Sequence, residues 1–358
     1  MSKGKTGLGE IWSLARSRTR GENGAHAKGA LRQMIEMAGL LALRGIGPGF
    51  YQLAGFWRRD VPWRHMLRYM NPKEYAAAVD RLNKPAYHKL SQNKVVEKAI
   101  MRLYGIATTE LLGILNPVTG QTLDGAPLRD AAELEGFLAS LAPRRVCFKA
   151  NEGWGGSAFR ALELTLDNGR LDARDLRDGA PVEIPALFES FRLNRDRIMV
   201  IETMMEQHPA LAAFNPTSVN TLRLWVIDHG QGPRTRLAYL RMGRAGAVVD
   251  NFTSGGIVAP IDMATGALGK ATDGTAAHLT FSHHPDNGAP IEGVALPFFA
   301  EAQRLAERCL AVFPRINFAG IDVAIAPEGP VIIEMNVVPD MVGAARVGIP
   351  TKDALAPF

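Results

Sequence analysis

The sequence GIDVAIAPEGPVIIEMN at residues 320–336 combines two runs of apolar and β-branched residues with a proline- and glycine-containing turn between them. Such runs at residues 321–326 and 331–336 predict two short strands, and the residues that separate them predict a turn. The stretch therefore predicts a β-hairpin. Its apolar strands are interrupted by three oxygen-bearing side chains, Asp322, Glu334 and Asn336.

The register of this hairpin decides whether the three polar side chains meet. Side chains alternate along a strand, so Glu334 and Asn336 share one face. A two-residue loop would point Asp322 to the other face, whereas a three-residue loop or a β-bulge would bring it to theirs. We expect the three-residue loop, with Asp322 opposite Asn336, or a bulge. Three converging oxygen ligands suit Mg²⁺ together with water and nucleotide phosphates. Solvated polar residues on an edge hairpin are the alternative.

The composition is that of a soluble globular protein. With 358 residues, 47% hydrophobic and 22% charged, the chain has room for two or three domains. No apolar run approaches the roughly 18 residues of a membrane span, and the N-terminus lacks the features of a signal peptide, so a cytoplasmic location is expected. Cys147 and Cys309 lie far apart without a His/Cys cluster, which predicts buried thiols and neither a disulfide framework nor a zinc site.

The positive charge is concentrated at the front of the chain. Residues 1–70 hold 12 Lys and Arg against 4 Asp and Glu, a balance of +8, so the other 288 residues carry −3 of the total of +5. Arginines alternate with aromatic residues between Phe56 and Tyr69, which suits peripheral contact with a membrane or another anionic surface. The commoner meaning is a helical cap with inward aromatics and solvated arginines. No nucleic-acid-binding motif accompanies the charge.

The sequence of the first quarter of the chain predicts a basic flexible tail followed by helices. Residues 1–30 are rich in Gly, Ser, Lys and Arg, and residues 31–95 are mainly helical. Asn71 is expected to cap a helix that Pro72 opens, because asparagine and proline favour those two positions. The residues from Lys94 to Tyr104 predict an amphipathic helix, and Gly105 is expected to end it.

A glycine-rich segment between two strands forms a candidate flap. The strand at residues 146–150 leads into NEGWGGSA at 151–158, and residues 159–166 are again strand-like. Glycines allow backbone N–H groups to approach an anion, and Lys149 at the entry favours phosphate as that anion. The spacing fits neither a Walker A nor a Rossmann motif. A glycine hairpin that merely turns the chain is the alternative.

Further strands carry polar residues at informative positions. The strand at 198–202 ends in Glu202 and is followed by Met204 and Met205, which can pack against a flat ring or, more commonly, in a core. Three strands of an antiparallel meander are expected at 220–227, 235–242 and 246–251. Arg223 lies among bulky neighbours in the first of them and therefore needs an anionic partner.

The order of these parts resembles the ATP-grasp superfamily over roughly residues 88–345. Within it, the chain is most similar to the sugar-transfer-associated ATP-grasp proteins, on the sequences NTLR at 220–223, VDNF at 249–252 before Gly255 and Gly256, and GIDVAI at 320–325. Glutamate-joining ligases, D-alanine–D-alanine ligase and tubulin tyrosine ligase are more distantly similar. The resemblance implies an α+β ATP-grasp fold with a helical N-terminal region, a lid subdomain at 96–205 and a C-terminal subdomain at 206–358.

The resemblance also implies roles for individual residues. The residues expected to contact ATP are Lys94, Lys149, Gly153, Gly155, Gly156, Ser157, Glu202, Met204, Met205 and Glu206 or Gln207. Those expected to hold Mg²⁺, two ions in all, are Asp322, Glu334 and Asn336. Those expected to face the transferred phosphoryl group are Arg223, Arg241 and Asn251. Lys89 and Lys98 compete with Lys94 for the role of the first lysine.

The implied activity is an ATP-dependent carboxylate–amine ligase that forms an amide through an acyl-phosphate. Its substrates would be small carboxylates and amines, with a saccharide-linked acid implied by the resemblance alone. Two alternatives stay open: an ATP-grasp kinase that phosphorylates a hydroxyl group, and a non-catalytic nucleotide-binding or membrane-surface module led by the basic N-terminal region.

Overall fold

The computed structural model describes Trp12, Arg16, 27–153, 158–247, Asp250, 255–275 and 278–357. Most of the expected basic tail therefore lies outside the described residues. The helical N-terminal region is confirmed, and its helices are α1 (Ala30–Arg44), α2 (Pro48–Leu53), α3 (Trp63–Met66), α4 (Pro72–Leu82), α5 (Lys89–Gln92) and α6 (Lys94–Leu103). Asn71 caps α4 as expected, since its side chain accepts from the N–H of Glu74 while the Glu74 carboxylate accepts from that of Asn71.

The first sheet holds six strands in the order β2-β1-β6-β3-β4-β5, and every neighbouring pair is antiparallel. Its elements are β1 (Leu111–Leu115), β2 (Gln121–Thr122), α7 (Ala131–Leu141), β3 (Arg144–Ala150), β4 (Arg160–Asp167), β5 (Arg170–Asp175), α8 (Ile184–Ser190) and β6 (Met199–Thr203). Leu134 and Leu138 of α7 and Leu187 of α8 pack on Phe148 and Leu162. The expected hairpin of β3 and β4 is thus part of a sheet with its own core.

The second sheet holds seven strands in the order β11-β10-β9-β8-β7-β12-β13. Its elements, with the helices between and after them, are α9 (Pro209–Ala212), β7 (Thr221–Ile227), β8 (Arg234–Met242), β9 (Ile257–Pro260), β10 (Ala271–Asp273), β11 (Thr280–Phe281), α10 (Phe299–Ala311), β12 (Phe318–Ala326), β13 (Gly329–Asn336), α11 (Met341–Arg346) and α12 (Thr351–Ala354). One face packs against α10, and the other against α4, α11 and α12. The fold is α+β, as expected.

The meander differs from the expectation at its third strand. That strand is β9 rather than 246–251; Gly246, Ala247 and Asp250 form no strand, and the remaining residues of that segment after Ala247 lie outside the described ones. The physical reason is a side-chain contact, because the Asp250 carboxylate accepts the backbone N–H of Thr221 at 3.0 Å. Asp250 is therefore held at the start of β7.

Two expectations from composition can be compared with the structure. Cys147 and Cys309 are free and buried, as expected. Among the described residues, no helix combines the length and the apolarity that crossing a bilayer requires.

Candidate functional site

The hairpin of β12 and β13 has a two-residue loop and a β-bulge. Ala326 pairs with Gly329, so the expected three-residue loop is wrong, and the positive φ of Gly329 (143°) allows the tight turn. The alternative expectation, a bulge, is confirmed. Val323 pairs with Ile332, and Asp322, which precedes Val323 on β12, pairs with Glu334. Ile333 is therefore the extra residue of the bulge.

The bulge turns the two carboxylates to the same face. Asp322 lies opposite Glu334, and not opposite Asn336, which pairs with Gly320. Directly paired residues of an antiparallel ladder share a face, and Asn336 follows Glu334 by two positions on the same strand. The three predicted oxygen donors are therefore brought together, although through a different register.

Helix α6 holds the backbone on both sides of Glu334. The Oε1 atom of Glu97 accepts the N–H of Met335 at 2.5 Å, and Lys98 Nζ donates to the carbonyl oxygen of Ile333 at 3.2 Å. Strand β13 lies at the edge of its sheet, so these backbone groups have no neighbouring strand to pair with. Glu97 and Lys98 supply hydrogen-bond partners for them. The sequence signal for Glu97 is an acidic residue on the inward face of an amphipathic helix, and no role was predicted for it.

Asp322 is fully buried and bound by two arginines. Arg223 contacts both carboxylate oxygens, with Nη2 3.0 Å from Oδ2, and Arg241 Nη2 lies 2.8 Å from Oδ2. This confirms the expectation that Arg223 needs an anion. Burial alone lowers the pKa of Arg223, but Asp322 raises it above its ordinary value, so the guanidinium group stays charged. Burial raises the pKa of the Asp322 carboxyl group above its ordinary value, although Arg223 and Arg241 act to lower it. Gly320 leaves room for this contact, because a Cβ there would lie 3.1 Å from Arg223 Cδ.

Glu334 is ionised in its surroundings. Burial raises the pKa of its carboxyl group, but the charges of Lys94, Arg241 and Arg223 outweigh burial and lower that pKa to about 2. Asn336 Nδ2 donates to Glu334 Oε1 at 3.2 Å. The pair presents a fixed negative charge and an amide to the space beside β13.

A cavity of about 190 Å³ opens at this point, and it is lined by Lys89, Ser91, Gln92, Lys94, Glu97, Glu152, Gly153, Glu334, Met335, Asn336, Val337 and Val338. Three expected ATP- or metal-binding elements thus share one cavity: the first lysine, the start of the glycine-rich segment and the end of β13.

The structure distinguishes the three candidate lysines. Lys94 lines the cavity at the start of α6, whose N-cap is Asn93. Lys98 is buried and lies 3.0 Å from Thr108 Oγ1 and 3.6 Å from Glu202. Lys89 also lines the cavity, where it pairs with Glu152. Lys94 and Lys89 therefore both line the cavity, while Lys98 joins the two sheets.

Glu202 does not face an open slot, contrary to the expectation that it lines the adenine site. It is fully buried, and its Oε2 atom accepts from Lys149 Nζ at 2.8 Å and from Thr109 Oγ1 at 2.7 Å. Burial raises the pKa of Glu202, but Lys149 and Lys98 outweigh it and lower that pKa, which keeps the carboxylate charged. The physical reason is the pairing of β3 with β6, which places Lys149 beside Glu202.

The remaining residues expected to contact ATP differ in their burial and in their contacts. Met204 and Met205 follow β6 and are half-buried, and Glu206 is exposed. Gln207 is buried, and its side chain bonds to Asn215, Ser218 and Asn220 rather than facing solvent. The expectations that lie outside the described residues are those for Gly155, Gly156, Ser157 and Asn251.

The donor set fits one divalent cation better than the expected two. Glu334 and Asn336 line the cavity, and their side chains carry oxygen atoms, the type of ligand that Mg²⁺ prefers. Both oxygens of Asp322 are already bound to arginines, so it would ligate a cation only after exchanging one of those contacts. In the part of the chain that the structure describes, no group of three His, Cys, Asp or Glu side chains is arranged for a metal.

Lys94 and Lys98 are expected to respond differently to the same substitution. Lys98→Met removes a cation from Glu202 and the bond to Ile333, and we expect the free energy of unfolding to fall by about 1–3 kcal/mol in urea titrations. Lys94→Met is expected to leave that free energy unchanged and to weaken ATP binding about tenfold by calorimetry, since it removes one charged contact to phosphate. Equal stability losses for both variants would contradict the assignment.

Glu97 is expected to make stability depend on pH. Burial raises its pKa to about 8, against 4.5 for an unfolded glutamate, and its Oε2 atom has no hydrogen-bond partner among the described residues. The folded chain therefore retains a proton that the unfolded chain releases. The resulting stabilisation is complete below about pH 4.5 and is lost by up to about 1.4 kcal/mol per pH unit as the pH rises to about 8.

The variant Glu97→Gln tests this dependence. The glutamine side chain has no carboxyl proton to lose. The urea midpoint of this variant should therefore decline less between about pH 5 and pH 8 than that of the parent chain. Glu135→Gln, at an exposed position of α7, is the matched control and should keep the parental slope. A parental slope in Glu97→Gln would show that another group carries the pH dependence.

Comparison with solved structures gives matches of low identity. D-alanine–D-alanine ligase from Coxiella burnetii is 12% identical, with 74% of this chain and 55% of that chain covered and a TM-score of 0.42. N5-carboxyaminoimidazole synthase from Aspergillus clavatus, in complex with ADP and 5-aminoimidazole ribonucleotide, is 12% identical, with coverage of 98% and 76% and a TM-score of 0.42. D-alanine–D-alanine ligase from Bacillus anthracis complexed with ATP is 13% identical, with coverage of 74% and 62% and a TM-score of 0.37.

The chain spans about half the length of the Coxiella burnetii enzyme, with 55% of that enzyme covered. No curated protein matches it. The family model described as sugar-transfer associated ATP-grasp matches residues 74–351, which is most of the chain and includes both sheets. The resemblance expected from the sequence is confirmed: the chain belongs to the sugar-transfer associated ATP-grasp family.

Proposed function

We propose that the chain is an ATP-dependent carboxylate–amine ligase, in which ATP lies in the cavity between α6, the segment after β3 and the end of β13. The observation that carries the proposal is the bulge at Ile333, which turns Asp322 and Glu334 to one face and sets them beside Arg223 and Arg241. Family membership supports ATP as the nucleotide.

The chemistry requires a carboxylate to become a better electrophile. The bond between the γ-phosphorus and ADP breaks as a carboxylate oxygen of the substrate bonds to that phosphorus. The amine nitrogen then bonds to the acyl carbon, inorganic phosphate leaves and the nitrogen loses a proton to solvent. Such transfer depends on positioning and on positive charge near the phosphoryl group rather than on a protein nucleophile.

The residues that supply this charge are already oriented. Lys94 lies at the cavity wall and would contact phosphate oxygens. Asp322 fixes the guanidinium groups of Arg223 and Arg241, so they would meet the transferred group without reorganising. When bound by Glu334 and Asn336, Mg²⁺ would neutralise part of the phosphate charge.

We extend the proposal to the substrates and to the location of the reaction. The family description associates these proteins with sugar transfer, which favours a saccharide-linked or amino-acid carboxylate made for polysaccharide or specialised-metabolite biosynthesis. The charge of +8 in residues 1–70 supports contact with the anionic inner face of a membrane.

The test is a product analysis with panels of uronic acids, amino acids and amines. A ligase releases ADP and phosphate only when acid and amine are both present, and it gives a hydroxamate when hydroxylamine replaces the amine. Phosphate that remains on a hydroxyl acceptor would instead identify a kinase. Binding of ATP without turnover, together with cellular function that survives Asp322→Ala and Glu334→Ala, would identify a non-catalytic module.

A further inference from the structure

Asp250 is a buried carboxylate that contacts two neighbouring strands of the second sheet without belonging to either of them. It is 8% exposed, and it accepts both the backbone N–H of Thr221, at 3.0 Å, and the hydroxyl group of the same residue. Its Oδ2 atom also lies 3.4 Å from Nε of Arg241. Thr221 begins β7, and Arg241 on β8 is paired directly with it. No role was predicted for Asp250 from the sequence.

The hydroxyl group of Thr221 links this carboxylate to the arginine. A hydroxyl group has one proton to donate and two lone pairs that accept. The proton is directed to Asp250, because a carboxylate can only accept. The lone pairs are therefore left for Arg241, whose Nε and Nη2 atoms donate to Thr221 Oγ1 at 3.0 Å and 2.7 Å.

The guanidinium group of Arg241 is fixed by three residues and still has donors to spare. Besides its contacts with Thr221 and Asp250, its Nη2 atom donates to Asp322 at 2.8 Å. Its Nη1 atom donates to no acceptor in the part of the chain that the structure describes, and the side chain is 15% exposed. The N–H bonds of Nη1 are thus held in one direction and can bind an anion.

This guanidinium group lies close to the wall of the nucleotide cavity. It contacts Asp322, whose direct partner across the bulge is Glu334, and Glu334 lines the cavity. Arg223 shares the same Asp322 carboxylate, so one negative charge serves two arginines. Asp250 supplies the second negative charge, which a pair of buried guanidinium groups requires.

We propose that Asp250 and Thr221 are positioning residues for phosphoryl transfer, which hold the guanidinium group of Arg241 toward the γ-phosphoryl group of ATP. This inference rests on the proposed function, which places the triphosphate in the cavity. A flexible arginine loses side-chain freedom when it binds phosphate, whereas one that hydrogen bonds already orient does not. Asp250 and Thr221 act through Arg241 and need no contact with the nucleotide.

The experiment is titration calorimetry of the full chain with ADP and with adenylyl imidodiphosphate, a non-hydrolysable analogue of ATP, both with Mg²⁺. The ratio of the two dissociation constants reports the contacts made with the γ-phosphoryl group. A partly unfolded preparation weakens the apparent binding of both nucleotides by the same factor. A loss of stability alone therefore leaves the ratio unchanged.

The variant Thr221→Val removes the hydroxyl group and keeps the shape of the side chain. We expect the parent chain to prefer the analogue, and Thr221→Val to reduce that preference about tenfold, because Arg241 loses the acceptor for its Nε and Nη2 atoms. Thr221→Ser keeps the hydroxyl group and should recover most of the preference. Adding Thr221→Val to Arg241→Met should cause no further decrease, since Thr221 acts through Arg241.

The variant Asp250→Ala separates orientation from charge. Removal of a negative charge would by itself increase the preference for the analogue, which is more negatively charged than ADP. Loss of the acceptor that directs the Thr221 hydroxyl group acts in the opposite direction. We expect the preference to fall about threefold or more. An increase would show that Asp250 is only a counter-charge and would overturn its assignment as a positioning residue.

Thr122→Val is the matched control, because Thr122 is also a buried threonine of a strand and its hydroxyl group also donates to a carboxylate, that of Asp124. It lies in the edge strand β2 of the first sheet and should keep the parental ratio. A parental ratio in Thr221→Val, or equal affinity of the parent chain for both nucleotides, would overturn this inference and leave ATP binding intact. A parent chain that binds neither nucleotide would refute the proposed function and this inference with it.

Discussion

Asp322→Asn is expected to lower the free energy of unfolding by about 3–5 kcal/mol, because it leaves the buried Arg223 without its carboxylate partner and leaves Arg241 with Asp250 alone, 3.4 Å away. Arg223 and Arg241 are 8% and about 15% exposed, and both contact the Asp322 carboxylate directly. A loss of this size is a large share of the roughly 5–15 kcal/mol that stabilises an ordinary protein. Urea titrations followed by circular dichroism give the midpoint and the slope from which it is obtained.

The control for this change is Asp80→Asn on α4, an exposed position that should alter the free energy of unfolding by less than about 0.5 kcal/mol. A double-mutant cycle with Arg241→Met tests the cause. Removing one cation relieves part of the uncompensated charge, so the double variant should be more stable than the sum of the two single losses. Strict additivity would show that Asp322 stabilises the sheet in some other way.

The hairpin illustrates what the sequence can and cannot determine. Strand alternation and turn residues predicted both strands, and the position of Arg223 among bulky neighbours predicted that it has an anionic partner, but not that this partner is Asp322. The alternation is equally satisfied by a three-residue loop and by a bulge, so it could not choose between them. The bulge is fixed by Glu97 and Lys98, which contact β13 across 238 and 235 positions of sequence. Contacts between residues so far apart in the sequence cannot be recognised from the sequence of the hairpin itself.

The environment of Glu202 also depends on contacts that the local sequence does not specify. A glutamate at the end of a strand, followed by two methionines, is compatible with a slot for a flat ring. The pairing of β3 with β6 instead brings Lys149 to Glu202, and α6 adds Lys98. Both lysines were recognised as basic residues near a nucleotide, but their common partner depends on strand order, which the sequence did not specify.

Helix α1 adds a case in which periodicity identified the helix but not its buried face. Its apolar residues outnumber its polar ones, so the ordinary rule would turn Leu31 and Ile35 inward. The buried face carries Met37 and Leu40 together with Glu36. Lys28 before the helix and Tyr51 after it bind Glu36, while Leu31 and Ile35 are exposed. Glu36, which also pairs with Arg32 on the same helix, therefore shares the buried face with apolar residues, because leaving a buried carboxylate unpaired costs more than exposing two apolar side chains.

Glu334→Gln is expected to change the affinity for ATP in opposite directions without and with Mg²⁺. The carboxylate is ionised, since Lys94, Arg241 and Arg223 outweigh burial and hold its pKa at about 2. Without a divalent cation it repels the triphosphate, so its removal should strengthen ATP binding. With Mg²⁺ it is a ligand, so its removal should weaken ATP binding about tenfold to a hundredfold. Turnover should fall by about a hundredfold or more. Titration calorimetry with and without Mg²⁺ measures both binding constants.

Glu328→Gln provides the matched control, because it makes the same change in the exposed two-residue loop of the same hairpin. It should alter neither binding constant, which would separate a ligand effect from a general change in the charge of the chain. A shift of Glu334→Gln in the same direction with and without Mg²⁺ would mean that its charge acts on the nucleotide directly. In that case the cation would bind elsewhere, and the convergence created by the bulge would serve only to orient Arg223 and Arg241.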